Sequence, residues 1–561
     1  MPGFVPAVIL TAVLACLVLP PILTVLRTSL HDDTGSGAWT LAGYSALFSG
    51  STLYQVTWNS LEFALLATLL SLLNGGLMAW LVERSDTPLK PLASVTAVVS
   101  LGTPYIIYVS AWLYLLGRAG PFNALYRGIT GAAGTFTNVY SISGMVFIEG
   151  LLWSPLVFLL LSATFRQSNA DMEEAARVCG ASVRATIWRV SLRLAAPAIL
   201  GVGLFVFIRN LEAFDVPVLI GMPGHIQLLT TNIYLDMTQA PPLLSRASAF
   251  STVLMAVVSV LLYLYSRVSR HADRYASVTG KSFRPRPFRL GVSGRTLGGA
   301  LILVNFLIVL VLPMLAILWN SFSPFVSAMT LAGLSRMTTR HYAAVFSHAE
   351  YLDLGLNTAI ISGLAATVAM ALTGVAAWMS VRRKPGSQLL DQLTSVPLVI
   401  PGVVLGVAVL EISLQWVPSV YGTVWLVALA FVIRYMPYGM RYGSAGVIQI
   451  HCELEEAAGA AGASQPSMLR RIMLPLLTPS LVAGWLFIFL LGAKELSIAV
   501  LLAGPNSRTI SVAMFDQWAN GASGEVAAMG VVWTCIMTVF TLGLFMVNRR
   551  RSSASLAGNP A

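Results

Sequence analysis

Charge is scarce in this chain. Of its 561 residues only 10% are charged, 56% are hydrophobic, and the mean hydropathy is +0.77. Soluble domains carry about 25% charged residues. A soluble enzyme or binding module is therefore excluded, and a long integral membrane protein is indicated. Cysteine is scarcer still. Cys16, Cys179, Cys452 and Cys535 are scattered, without the paired spacing of a metal site or a disulfide framework. Catalytic signatures are missing too: no His-Glu-x-x-His, Gly-x-Ser-x-Gly or Cys-x-x-Cys occurs, so an intramembrane hydrolase has no visible chemistry. Gly280-Lys281-Ser282 looks like the tail of a phosphate-binding loop. Tyr275 stands where that loop needs its first glycine, and no strand pattern precedes it. ATP hydrolysis by this chain is not expected, and no bound cofactor is expected either.

What the chain has in quantity is apolar runs. A span needs about 20 mostly apolar residues. Twelve candidates lie near 5–27, 58–82, 92–117, 141–164, 195–221, 246–266, 296–320, 357–381, 393–415, 420–440, 478–503 and 523–546. The first could be a secretory signal, and Val13-Leu14-Ala15-Cys16 loosely resembles a lipoprotein cleavage box. No Lys or Arg precedes it, and the apolar run continues well past Cys16, which reads as a retained span. The net charge of +11 sits in short loops, so it signals topology and not nucleic acid. Twelve spans with both termini cytoplasmic place 24 of the 34 Lys and Arg in inside loops, the bias expected of that orientation.

The sequence also repeats itself. Asn59 and Trp80 recur as Asn357 and Trp378, offset by 298. Pro155, Glu174, Gly180 and Pro197 recur as Pro437, Glu456, Gly462 and Pro479, offset by 282. The 16-residue difference places an insertion in the first half, around 117–140. The reading is a parallel duplication of a six-helix unit: a first half over 1–266, a basic cytoplasmic linker over 267–295, a second half over 296–548 and a tail over 549–561. The linker's charges suit topology enforcement and contact with anionic lipid.

One loop recurs in the same topological slot of both halves, at 169–197 and 451–479. The first reads Glu173-Glu174-Ala175-Ala176, then Gly180; the second reads Glu455-Glu456-Ala457-Ala458, then Gly462. Glu and Ala favour helix, Gly180 and Gly462 supply a stop, and Ser182 and Ser464 are placed to cap a following helix. The expectation is a compact helical knob with small side chains and acids open to a partner.

These loops resemble the Glu-Ala-Ala loop of ATP-binding-cassette (ABC) importer permeases. Glu456 to Pro475 matches that pattern at every defined position; the first copy departs at Val190 and Arg193. The resemblance implies an all-α integral membrane protein of the type I importer permease fold, about 12 transmembrane helices in two fused halves. It implies docking of these loops on two cytosolic ATPase subunits, expected as a homodimer that carries ATP and Mg. It also implies delivery of cargo by an extracytoplasmic binding protein, and residence in a bacterial inner membrane.

Ionisable residues inside spans are expensive and mark candidate functional positions. The clearest are Glu62, Glu149, Arg209, Glu212, Asp215, Glu411, Lys494 and Glu495. Arg209, Glu212 and Asp215 fall in the span after the first loop, and Lys494 and Glu495 in the span after the second. Arg209 and Glu212 share a helix face and can pair. These five are translocation-path candidates, with internal ion pairing as the alternative. Carboxylates suit a hard cation such as Fe³⁺, and polyamines equally. Arg84-Ser85-Asp86-Thr87-Pro88, residues 117–123 and 221–234, and Lys494-Glu495-Leu496-Ser497 resemble ferric iron permeases. Thiamine, 2-aminoethylphosphonate and polyamine importers are similar too. A secondary transporter, with twelve spans but no ATPase, is the competing class.

Overall fold

The computed structural model describes residues 4–33, 38–167, 170–272, 288–326, 329–384 and 386–557. The first half contains α1 (Phe4–Thr28), α2 (Thr52–Arg84), α3 (Lys90–Gly102), α4 (Tyr105–Leu116), α5 (Pro121–Thr130), α6 (Ile142–Gln167), α7 (Ala170–Val178), α8 (Leu192–Leu211), α9 (Leu229–Thr238) and α10 (Leu244–Ala272). The second contains α11 (Gly291–Phe306), α12 (Leu312–Phe322), α13 (Ala349–Val381), α14 (Ser387–Ser395), α15 (Gly402–Trp416), α16 (Val424–Ile448), α17 (Glu453–Ala460), α18 (Leu474–Gly492), α19 (Ile510–Ala519) and α20 (Ser523–Ala557). Most of the linker, including Gly280-Lys281-Ser282, lies outside the described residues.

Among the described residues nine helices are long and apolar enough to cross a membrane, and two bent pairs bring the number to 11. The twelfth place belongs to α16, which does not meet the same test. It contains buried Arg434 and Pro437 and is buried along most of its length, so most of its side chains meet protein and need not satisfy lipid; Arg441, near its end, is exposed. Large apolar side chains elsewhere point outward, among them Leu23, Leu73 and Val539, as a lipid-facing surface requires.

The two third spans are not straight. Lys90–Ser100 and Tyr105–Thr130 meet at 114°, and Ser387–Val399 and Gly402–Trp416 at 102°. Proline causes both breaks. Thr103 and Ile400 are extended because the residue before proline is excluded from helix, and Pro104 and Pro401 follow. The fifth spans also differ from continuous helices over 195–221 and 478–503: α8 stops at Leu211 and α18 at Gly492, and each is followed by a turn. The repeat extends to backbone irregularities. The π-turns Ile187–Ser191 and Leu469–Met473 precede α8 and α18 at positions 282 apart.

Within each half the second and fourth spans make the closest pair, α2 with α6 and α13 with α16. A Cβ at Gly75 would sit 2.5 Å from the Ser154 carbonyl and 2.7 Å from the Val157 side chain. A Cβ at Gly439 would overlap the Thr373 side chain. The first spans cross over: α1 packs on α14 and α15, while α11 and α12 pack on α3 and α4. Each half thereby builds part of the other.

Candidate functional site

Two places bring the sequence-selected residues together. The first is the loop knob of each half. Gly180 (φ +84°) and Gly462 (φ +81°) adopt the left-handed conformation that stops α7 and α17, a region favourable to glycine. Ser182 Oγ accepts from the Ala185 amide at 3.3 Å. Ser464 stands at the equivalent N-cap without a side-chain hydrogen bond, so that cap is made by backbone alone.

The paired acids separate. Glu173 is buried, forms an ion pair with Arg84 and accepts from Ser191 Oγ at 2.7 Å. Its counterpart Glu455 accepts from Arg382 Nε at 2.7 Å and from Trp378 Nε1 at 3.1 Å. Arg84 and Arg382 end the second span of each half at positions 298 apart. The first acid of each pair thus ties the knob to a transmembrane helix. Glu456 and Ala457 are exposed and Ala458 is buried. Ala175 is exposed and Ala176 half-buried, while the Glu174 side chain lies outside the described side chains. Exposed Val178 and Leu454 add apolar surface beside the acids.

The halves differ at this joint. In the first, Phe288 arrives from the linker, donating its amide to the Arg84 carbonyl at 2.8 Å and accepting from the Asp86 amide at 3.1 Å. Its ring lies 6.0 Å from the Arg84 guanidinium carbon and 6.2 Å from the Trp80 ring.

The second place is between the halves. Glu212 Oε2 accepts from Arg209 Nη1 at 2.9 Å and from Arg434 Nη2 at 2.8 Å. Arg434 comes from α16 of the other half and also donates to the Ile400 carbonyl at 2.7 Å, at the bend before α15. Helix breaks leave carbonyls without intrahelical donors, and here a buried guanidinium supplies one. On one side of this triad lies a cavity of about 40 Å³ lined by Tyr105, Glu149, Trp153, Asp215, Lys494 and Glu495. On the other lies a second cavity walled by Phe205, Leu262, Tyr265, Tyr438 and Arg441. Both cavities share Arg209, Glu212 and Arg434, so the triad is the partition between them.

In the first cavity Glu149 accepts from Trp153 Nε1 at 2.9 Å. Glu495 accepts from Tyr435 OH at 2.7 Å and from the Ser497 hydroxyl. Lys494 Nζ lies 4.3 Å from the Tyr105 ring centroid, and the Arg209 guanidinium carbon 5.8 Å from the Trp153 ring. All five path candidates, Arg209, Glu212, Asp215, Lys494 and Glu495, line this one chamber. Sequence reasoning left out Arg434, Tyr105 and Trp153. Arg434 carried a usable signal, a cation inside a span; the rings carried none. Glu411 lies elsewhere, hydrogen-bonded to Thr28 Oγ1 at 2.5 Å and Ser248 Oγ at 3.4 Å, and half-buried Glu62 is not among the chamber's residues.

Against known families, residues 2–274 and 369–553 match the model of the binding-protein-dependent transport system inner membrane component. The chain belongs to this family. The two matched stretches contain both knobs and the central chamber. Among curated relatives it is 24% identical over 463 residues to the ferric transport system permease protein of Actinobacillus pleuropneumoniae, covering 80% of this chain and 65% of that one. It is 24% identical over 474 residues to a putative ferric transport system permease protein of Haemophilus influenzae, covering 83% and 73%. A putative 2-aminoethylphosphonate transport system permease protein of Salmonella paratyphi A is 27% identical over 259 residues, 46% of this chain and 96% of that one. The last match spans about half of the chain, as a single-half relative of a duplicated permease would. As an inner membrane component with at least nine apolar helices, this is a multi-pass membrane protein.

Proposed function

We propose that the chain is the pore-forming permease of an ATP-driven importer, with both halves, 1–266 and 296–548, in one polypeptide. The observation that carries this is the repeated joint. Two Glu-Ala-Ala knobs, each tied to a second span by an Arg–Glu pair, flank a charged chamber held between the halves. Two cytosolic ATPase subunits bind the knobs through exposed Glu456, its counterpart Glu174 and the small side chains around them. ATP and Mg belong to those subunits. Closure of the ATPases draws the knobs together, and the anchored second spans follow. The Arg209–Glu212–Arg434 partition joins the halves across their interface, so their relative motion opens or closes it. A binding protein on the extracytoplasmic side delivers cargo when the chamber opens outward. Both termini are cytoplasmic, in a bacterial inner membrane.

Ferric iron is the cargo best supported. Two relatives carry that name, and Glu149, Asp215 and Glu495 put carboxylate charge around the chamber. Among the described residues no three acids, histidines or cysteines are grouped closely enough to hold a metal ion, so the acids would draw a hard cation through and not cage it. A phosphonate- or polyamine-type cargo is the competing assignment.

Co-purification from native membranes, followed by mass spectrometry, tests the class. A P-loop ATPase and an extracytoplasmic binding protein are expected to travel with the chain. A chain that travels alone and transports without ATP contradicts the reading and favours a secondary transporter.

A further inference from the structure

The chamber places one ammonium among several carboxylates, and the partners of each group set its charge balance. Glu212 is committed to Arg209 and Arg434. The remaining acids meet neutral donors: Glu149 takes the Trp153 indole N–H, and Glu495 takes the Tyr435 and Ser497 hydroxyls. Asp215 Oδ1 is buried and accepts no hydrogen bond. Lys494, itself only 5% exposed, lines the same cavity as these three acids, its Nζ 4.3 Å from the Tyr105 ring centroid. Carboxylates in a low-dielectric site attract positive charge far more strongly than in water, and an aromatic face adds to the hold on an ammonium.

The repeat sharpens the point. Lys494 and Glu212 occupy equivalent positions, 282 apart. The duplicated fold does not require opposite charges there, since the two backbones follow the same course. The lysine therefore answers to what the chamber holds. A cavity of about 40 Å³ has room for only a few waters, so a cation of ammonium size would compete there with the lysine head group for the same carboxylates. A four-carbon stem can swing that head group aside without backbone motion.

We propose that the Lys494 ammonium occupies the cation subsite of the translocation path, between Asp215, Glu495 and the Tyr105 ring, and that cationic cargo enters by displacing it. This rests on the transport reading above. The shared chemistry is positive charge, from a ferric ion or from a primary ammonium.

The test uses the chain with its ATPase partner in lipid nanodiscs, without ATP. Ferric citrate, putrescine and 2-aminoethylphosphonate are titrated separately, with bound cargo read by equilibrium dialysis. Lys494→Met is expected to bind the ferric ion, or the ammonium group of one of the two amine probes, at least tenfold more tightly than wild type, Asp215→Asn at least tenfold more weakly, and Lys494→Arg about as wild type. The probe that responds distinguishes iron from an ammonium. Equal or weaker binding by Lys494→Met, or cation binding by neither protein, overturns the proposal. An independent readout needs no variant. Cargo is expected to raise labelling of Lys494 in the wild-type protein by a water-soluble amine reagent several-fold, and unchanged labelling overturns it. Failure of wild-type ATP-driven uptake would count against the transport reading instead, since the binding measurements do not depend on ATP.

Discussion

Arg84 is almost fully buried beside Glu173, and its loss would strand a carboxylate in the protein interior. Removing one partner of such a pair costs about 3–5 kcal/mol, whereas replacing both by apolar groups is often neutral. Arg84→Met is expected to lower the thermal midpoint of the purified protein markedly, and Arg84→Met with Glu173→Leu to recover most of it. The double variant is also expected to hydrolyse ATP in its complex while importing at least tenfold less, because the knob is no longer tied to α2. Full import by the stable double variant would show that the pair only holds the fold together. The exposed acids make a separate prediction. Glu456→Lys with Glu174→Lys should leave insertion intact and uncouple hydrolysis from uptake, and normal uptake would remove these residues from the ATPase contact. The sequence placed the acid pairs at the knobs but not their division of labour. Arg84 and Glu173 are 89 positions apart, and no local period links them. The pairing of Arg434 was illegible for a similar reason, although its place inside a span was not: its partner Glu212 lies 222 positions away on the other half.

At the scale of elements, close approach of α2 and α6 depends on Gly75. Gly75→Val would drive a side chain into the Ser154 carbonyl and the Val157 side chain, and overpacking of this kind costs roughly 1–3 kcal/mol or more. A lower thermal midpoint by fluorescence-detected size exclusion is expected, with little change for Gly363→Ala, where a Cβ meets nothing within 4 Å. Span positions were legible because lipid demands a long apolar run. The bends at Pro104 and Pro401 were not read, since apolar composition continues through them and only backbone geometry marks the break. The ends of α8 and α18 were missed likewise. Leu211 and Gly492 are followed by stretches that are largely apolar apart from Glu212, Asp215, Lys494 and Glu495 and look like more span, but the long helix ends there and α9 and α19 follow as separate elements. α16 shows the converse: its interior position permits Arg434, a buried cation that a lipid-facing helix would not carry.

The whole molecule is two repeats that exchange their first spans. With α1 lodged on α14 and α15, and α11–α12 on α3 and α4, neither half covers its own core. Separate expression of 1–280 or 281–561 is expected to give unstable products, and co-expression to restore a stable complex, as judged by size exclusion in detergent. Halves that are stable alone would contradict the exchange. The duplication itself was visible in the paired offsets; the exchange was not, because it involves contacts between the repeats and no pattern within either.

The central claim is that ATP hydrolysis on a partner drives cargo through the chamber. Uptake into proteoliposomes containing the chain, its ATPase and its binding protein tests it most directly, with iron, putrescine and 2-aminoethylphosphonate offered in turn. The account predicts accumulation of one of them only with ATP and binding protein present, and loss of that accumulation in Glu456→Lys with Glu174→Lys. Accumulation that proceeds without ATP, or that survives the double substitution, would contradict it.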